Sequence, residues 1–579
     1  MKTHETYCAD VVILMATPGG LAAAVAAARL GANVVILERS AHLGGLPANG
    51  LGATDLATHT ATGGFFAQFI ARNLAHYVQT YGADSEQVKI CSGGYHFEPS
   101  VAEQNFLALL AQYPNITVKL HRQFDALPAN IVMAGPRIGS ITVTSRTDGT
   151  REIYTAQTFI DASYEGDLSA AARVPFRCDR ESFAEFREPA AGVIYAGWPY
   201  ELGAGTTHAG DNLLQAYNYR LCLTDDPARR MPIAQPAQYQ RSEYISLVDD
   251  VQQQRWTGVP RSELWQEGIG RIVNCVRLPN AKTDANNQHL AFISTDLPEE
   301  NYPWPTADWA WRDAFAQRLQ NYILGLLWFA QNDPALPEDF RLRCQAFGLA
   351  ADEYQDNGHF PRQVYVREGR RMQGRHLFTA HDALPIAPGL RPPIHADSIT
   401  ASHYALDSHA TRKREANRVH LEGFFSYKTQ PYMVPLGVMQ PREVENLLFP
   451  VPASATHIGF STLRMEPCWM ALGEAAGVVA GLARQQNTPA TSIKAPAVQA
   501  ELLRHGAVLA WFEDVPVTDP DFPALQRCAL RGLFPSFKAE LDTPVGEPLA
   551  GLWGRILGTP INPRTLRRTL VGEIGQEAK

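Results

Sequence analysis

Ala16-Thr17-Pro18-Gly19-Gly20 is followed, 18 positions after Gly20, by Glu38-Arg39. That spacing can bind a dinucleotide. A helix starting at such a turn offers backbone N–H groups and a partial positive charge to a pyrophosphate. A carboxylate about 20 residues further on takes ribose hydroxyls. Two histidines offer a second chemistry: His409 in Leu-Asp-Ser-His and His457 in Ser-Ala-Thr-His-Ile-Gly. An imidazole titrates near neutrality and suits a base that takes a proton during a redox step. For each, a histidine bonded to backbone in a packed loop is the equal and opposite reading.

The elements that must position these groups are legible around them. Val11 to Leu14 is a short apolar run of the kind found in buried parallel strands. Gly20 to Leu30 is alanine-rich and strongly helix-forming, and Asn33 to Leu37 reads as a second buried strand ending on Glu38. Strand, turn, helix, strand, acid is the order of a Rossmann unit. Further on, Ser100 to Gln112 reads as a helix, and Ile116 to Leu120, Ile138 to Ser145 and Ile153 to Ile160 as strands. Asp308 to Gln331 carries Trp309, Phe315, Leu319, Tyr322, Leu326 and Phe329 at helical spacing, a pattern that favours a core face over a sugar-stacking surface.

The unit departs from the usual glycine pattern. Aligned on Gly20 and Glu38, G-x-G-x-x-G falls on positions 15, 17 and 20, and the first two are Met15 and Thr17. The first glycine normally serves the tight turn and the second lets the backbone approach the phosphates. The Thr17 hydroxyl could donate to a phosphate oxygen, whereas a Cβ at Met15 narrows the path. A unit that packs without binding a nucleotide is the alternative.

Gly44 and Gly45 follow the acid by about six residues, an arrangement that resembles the two-dinucleotide-binding flavoproteins and points to FAD rather than NAD. The similarity continues through His42-Leu-Gly-Gly-Leu-Pro-Ala-Asn-Gly-Leu-Gly-Ala-Thr-Asp55, Tyr95-His-Phe-Glu-Pro99, Phe159-Ile-Asp-Ala-Ser-Tyr-Glu-Gly-Asp-Leu168 and Tyr217-Asn-Tyr-Arg220. Pro279-Asn-Ala-Lys-Thr-Asp-Ala-Asn-Asn287, Val366-Arg-Glu-Gly-Arg-Arg-Met372, Leu406-Asp-Ser-His409, and Arg464-Met-Glu-Pro467 before Leu-Gly-Glu-Ala-Ala-Gly477 extend it. As a set, over roughly residues 9 to 485, these runs resemble the FAD-dependent oxidoreductase family, whose members carry a glutathione-reductase-like FAD domain and usually show Gly where this chain has Met15.

The resemblance implies FAD as cofactor. It assigns cofactor contacts to Gly44, Gly45 and Leu46 in the loop running toward the flavin, to the Phe124 backbone at adenine, to Ala162 and Asp167 in the crossover that closes the domain, and to Glu466. A helix over Pro467 to Ala483, with small residues at 471, 473 and 475 to 477, would aim its positive end at the flavin pyrimidine; close helix–sheet packing alone is the alternative. Arg367, Arg370 and Arg371 could bind an anionic substrate or simply pair with carboxylates, and Arg371 is taken with His409 and His457 as a catalytic candidate. Lys282, Asp284, Asn286 and Asn287 could grip hydroxyls or form an Asx-turn network. The spacings of His376, His381, His403, His409 and His420 match no compact ligand pattern, so no metal is expected.

The expected organisation is α/β: a discontinuous Rossmann-like FAD domain (1–185 and 361–487), an inserted α+β substrate domain (186–360) and a small helical module (498–579). Thr488 to Ala497 reads as the linker. Phe512-Glu-Asp-Val515, Asp521-Phe-Pro-Ala-Leu-Gln526 and Leu530-Arg-Gly-Leu-Phe534 resemble a single S-layer-homology repeat. A formal charge of −8, from 51 basic and 59 acidic side chains, argues against a nucleic-acid partner. No apolar stretch is long enough to span a membrane. Eight cysteines without a C-x-x-C pair, and no expected cleaved signal, suit a reducing cytoplasm. The sequence sets no oligomeric state. No second dinucleotide motif appears, so the expected activity is that of a dehydrogenase or oxidase moving a hydride from a small polar hydroxyl- or amine-bearing molecule to flavin N5. The competing expectation, resting on Met15 and Thr17, is a flavoprotein-fold binding protein with weakened FAD and no redox activity.

Overall fold

The structure is a computed structural model that describes residues 5–198, 200–257 and 268–577; positions 258 to 267 of the expected substrate domain lie outside the described residues. Strand β1 (Glu5–Leu14) feeds helix α1 (Pro18–Arg29), which returns the chain to β2 (Val34–Leu37). The pairing is parallel and in register from Val11 against Val34 to Leu14 against Leu37. Strand β3 (Ile116–Lys119) extends this edge, again parallel. On the other side β1 pairs in parallel with β4 (Arg151–Asp161), placing Leu14 beside Asp161. The apolar run of β1 is explained by this position: strands on both sides and helices on the faces leave Val11, Val12 and Ile13 with no exposed surface.

Two further features belong to the same sheet. The short strands Arg122–Gln123 and Ile131–Ala134 pair antiparallel with Arg137–Ser145, which in turn pairs with β4. Some 290 residues after β4, the strand Leu447–Leu448 pairs in parallel with Phe159 and Ile160. The chain therefore leaves this sheet and returns to it. The Glu466–Gln486 helix then packs along α1, and its glycines show why the contact is so close. A Cβ at Gly473 would sit 2.0 Å from the Gly19 carbonyl oxygen, and one at Gly477 would sit 2.1 Å from that of Ala23.

Between the two passes lies a second, antiparallel sheet in the order Arg230–Met231, Gly348–Ala350, Leu221–Thr224, Lys282–Asn287, Val273–Leu278. The Trp309–Asn332 helix buries Phe315, Leu319, Tyr322, Leu326 and Phe329, the core face its periodicity called for. The last part is helical (Ala495–Arg504, Phe522–Leu530, Glu547–Leu557, Arg567–Glu577). It docks on the preceding fold: Ala401 N–H donates to Val508 O and Gly64 N–H to Gly506 O. The polar stretch from Thr488 is a short turn running into the first of these helices. No described helix is long and apolar enough to cross a membrane, and all eight cysteines are free.

Candidate active site

Met15 adopts φ +75°, the left-handed conformation that the missing glycine would have supplied. The turn is thus made, at a conformational cost, by a side chain that rarely enters this region. Gly20 has no room for a Cβ, which would meet the Met15 carbonyl oxygen at 2.3 Å; one at Gly45 (φ +52°) would meet Tyr164 Oη at 2.5 Å and Pro18 Cδ at 2.6 Å. Thr17 caps α1, accepting from the Gly20 N–H at 3.2 Å and donating to the Ala162 carbonyl at 2.8 Å. Its hydroxyl is therefore engaged within the fold rather than offered to a phosphate, a correction to the sequence expectation. Glu38 is buried and accepts from the Ala16 N–H at 2.8 Å and the Ser40 N–H at 2.7 Å. Burial raises its carboxyl against these bonds.

A cleft opens over this turn. It is lined by Met15, Ala16, Thr17, Glu38, Arg39 and Gly45, with Tyr164, Glu165, Trp304 and Trp309 from elsewhere in the chain. The pyrophosphate end fits FAD: a helix N-terminus, a glycine-like turn, Gly44 and Gly45 in left-handed conformations, and an acid at the end of β2. The opposite end holds a feature with no counterpart in the sequence reading. The Phe124 carbonyl, assigned to adenine by resemblance, accepts the Trp309 indole N–H at 3.1 Å. The Arg39 guanidinium lies 4.0 Å from the centroid of the same indole, while its nitrogens donate to Gln123 and Asp313. Trp309 begins the long helix and lines the cleft.

Other assigned positions take structural partners. Asp167 does not stand free, because Arg312 binds both its oxygens (2.6 and 3.0 Å) and Arg370 adds a third contact at 2.6 Å. Leu46 donates its N–H to Tyr164 Oη, which donates in turn to Glu466 at 2.6 Å. Burial pushes the Glu466 carboxyl up to about 8, against the lowering effect of Tyr164, and its second oxygen has no partner. The carboxyl sits in the first turn of the Glu466–Gln486 helix. Burial likewise pushes Glu165 up to about 7, with Arg312 opposing.

A separate pocket of about 370 Å³ contains His409, with Asp55, Arg220, Asn286, Tyr404 and Asp407. Two segments tie it to the cleft. The loop beginning at Gly45 in the cleft reaches Ala53 to Asp55 in the pocket, and Gln363 to Val366 line the cleft around Tyr365, which Arg220 overlies. His409 Nδ1 lies 2.8 Å from Asp296 Oδ2 and its Nε2 lies 3.6 Å from Asp407. Burial would raise the Asp296 carboxyl, but Arg367 (2.8 Å) and His409 outweigh it and hold it below its ordinary range. Arg464 fixes Asp407 at 3.2 Å and reaches Tyr365 Oη at 3.0 Å.

The structure separates the remaining candidates. His457 is 2% exposed and lies outside the pocket, with Nδ1 on Glu368 at 2.9 Å and Nε2 on Ser408 Oγ at 3.4 Å. Arg371 has no exposed surface and is held by Glu181 (2.8 Å), Glu368 (2.9 Å) and the Asp179 carbonyl, so it reaches no substrate. Within the polar cluster, Asp284, Asn286 and Asn287 line the His409 pocket, whereas Lys282 is drawn into ion pairs with Glu98 and Glu353, each at 2.7 Å. Asp296 and Trp309 were missed. An acid in Ser-Thr-Asp-Leu-Pro carries no local signal, and Trp309 reads as one more aromatic of a helix face.

The model of the FAD dependent oxidoreductase family matches residues 10–502. The chain belongs to this family. The family's description names FAD, and the pyrophosphate end of the cleft fits that cofactor. A search among curated proteins matches none. Solved structures are similar over parts only. L-proline dehydrogenase from P. horikoshii is 12% identical with a TM-score of 0.17, over 35% of this chain and 26% of that one. THI4 from Thermovibrio ammonificans is 17% identical with a TM-score of 0.20, over 30% and 67%. Glycerol-3-phosphate dehydrogenase from Bacillus halodurans, complexed with FAD, is 9% identical with a TM-score of 0.22, over 34% and 44%. The matched part of this chain thus spans about a quarter of the proline dehydrogenase and under half of the glycerol-3-phosphate dehydrogenase.

Proposed function

We propose that the enzyme is a dehydrogenase or oxidase of a small polar molecule bearing a hydroxyl or amine, bound in the His409 pocket. The observation that carries this reading is the His409–Asp296 pair facing a polar pocket tied to the cofactor cleft. An Nδ1–H donated to Asp296 leaves the lone pair on Nε2, the nitrogen nearer Asp407. His409 then takes the substrate proton at Nε2, and Asp296 balances the imidazolium. Asp407, fixed by Arg464, and Asn286 hold the substrate's polar groups, while Trp198 and Phe424, with ring centroids 6.4 Å apart, supply apolar wall. When bound, FAD supplies flavin N5 as the hydride acceptor. Glu38, the α1 N-terminus, Gly44 and Gly45 would hold its nucleotide half, and neutral Glu466 with its helix end would face the flavin.

We read the fold as the glutathione-reductase type, with 1–185 and 361–487 as its two passes and 186–360 as the substrate domain. The return of Leu447–Leu448 to β4 and the separate antiparallel sheet support this division. We read 498–579 as a helical packing module that resembles one S-layer-homology repeat. Eight free cysteines fit a cytoplasmic setting.

The test begins with the purified protein, which should absorb near ~450 nm as flavoproteins do. Anaerobic mixing with polyols, hydroxy acids and amines should then bleach the flavin with one class. His409→Ala should slow that bleaching by ~10² to 10⁴-fold with FAD still bound. An unchanged rate in His409→Ala would remove the histidine from the chemistry.

A further inference from the structure

His376, Asp382 and His395 lie outside both the cleft and the His409 pocket, yet their ligating atoms fall within 4.8 Å of one another. Their arrangement comes from a capping box. The short helix Ala380–Ala383 is capped by Thr379, and Asp382 reaches back, its Oδ2 accepting from Thr379 N–H at 2.7 Å and from Thr379 Oγ1 at 3.1 Å. This fixes the carboxylate and leaves Oδ1 for the two rings. His376 Nε2 lies 3.2 Å from Oδ1 and His395 Nε2 lies 3.0 Å from it. The rings stand at 80° to each other with centroids 5.1 Å apart, so their edges converge on the acid.

One nitrogen in this group is unexplained by the protein alone. His395 Nε2 is buried and makes no properly aligned hydrogen bond, although the Asp382 oxygen is only 3.0 Å away. A buried polar atom left in this state carries a desolvation cost that an unmade bond does not recover. Two imidazole nitrogens, 3.2 and 3.0 Å from one carboxylate oxygen and with all three atoms within 4.8 Å of one another, are also a donor set that a four-coordinate cation takes. Ligands at ~2.0–2.2 Å in a tetrahedron lie a little over 3 Å apart.

We propose that His376, Asp382 and His395 bind a divalent transition-metal ion, zinc foremost, through both Nε2 atoms and Asp382 Oδ1. Two nitrogens and one oxygen select zinc and its neighbours over magnesium and calcium, which take oxygen ligands. The Thr379 bonds to Oδ2 orient the carboxylate in the manner that supporting partners of metal ligands do. His376, about one-third exposed, leaves a coordination position open to water. The site is a clasp rather than a catalytic centre. Its ligands come from a segment that packs against the helical C-terminal part: Gln499 donates to the Ala396 carbonyl next to His395, and Arg391 donates to the carbonyls of Trp511 and Ser536.

The test uses the full-length, FAD-loaded protein after dialysis against a chelator. Titration with cobalt(II) should give one equivalent of a tetrahedral-type visible spectrum, displaced by one equivalent of zinc(II) and untouched by millimolar magnesium. His395→Ala and Asp382→Asn should each weaken zinc binding more than ~100-fold, and Thr379→Ala, which removes only the supporting hydroxyl, by ~10 to 100-fold. His76→Ala, on a helix away from the site, should leave it unchanged. The wild-type titration needs no variant to fold. Absence of a stoichiometric cobalt spectrum overturns the proposal, as does equal zinc affinity in wild type and His395→Ala.

Discussion

Glu466→Gln isolates one charge that the fold keeps neutral. Burial lifts the Glu466 carboxyl from its ordinary 4.5 to about 8, and among the described residues Tyr164 alone donates a hydrogen bond to it. Between these two values the folded protein holds a proton that the unfolded chain has released, so stability must fall as pH rises through that window. At 1.36 kcal/mol per pH unit, the full loss is at most roughly 5 kcal/mol. Glutamine keeps the acceptor for Tyr164 Oη and a donor on the second atom but cannot ionise. The assay is urea unfolding of the FAD-loaded protein at pH 5 to 9, wild type against Glu466→Gln. Glu165 and Glu188, both pushed up to about 7 by burial, slope both profiles alike, so their difference reports position 466. The variant should match or fall slightly below wild type at pH 5 and exceed it by about 3–5 kcal/mol at pH 9. Profiles that run parallel across this range would refute a buried, neutral Glu466.

Three further outcomes follow from the same geometry. Met15→Gly relieves a left-handed methionine, ~1–2 kcal/mol, and sacrifices a partly buried side chain and unfolded-state order; stability should move by no more than ~1 kcal/mol, and FAD binding, read by fluorescence quenching, should tighten or hold, a tenfold loss being contrary. Trp309→Phe frees the Phe124 carbonyl while keeping an aromatic face, so the FAD dissociation constant should fall ~2 to 10-fold, the worth of one hydrogen bond; a weaker complex would mean that the indole supports the nucleotide. His457→Ala takes one partner from Glu368, which keeps Arg371, and one from Ser408, and should cost ~1–3 kcal/mol of stability while leaving the rate of flavin bleaching unchanged, in contrast to His409→Ala.

The sequence by itself determined what is local. The β1–α1–β2 unit was legible because a run buried on both faces must be apolar throughout, and because an alanine-rich segment behind Thr17-Pro18 has one good conformation. The Trp309–Asn332 helix announced its buried face by spacing. Even the Met15 irregularity was visible, although only the backbone shows that methionine accepts the glycine's φ. What tertiary structure alone decided are pairings between distant segments. Asp296 chooses His409 across 113 residues, Glu181 claims Arg371 across 190, and Trp309 reaches the Phe124 carbonyl across 185. His395, never grouped with His376 by spacing, meets it on Asp382 only because the intervening loop folds back. Periodicity records which face of an element is buried. It does not record which buried charge will face which, since that depends on the topology that brings two elements together.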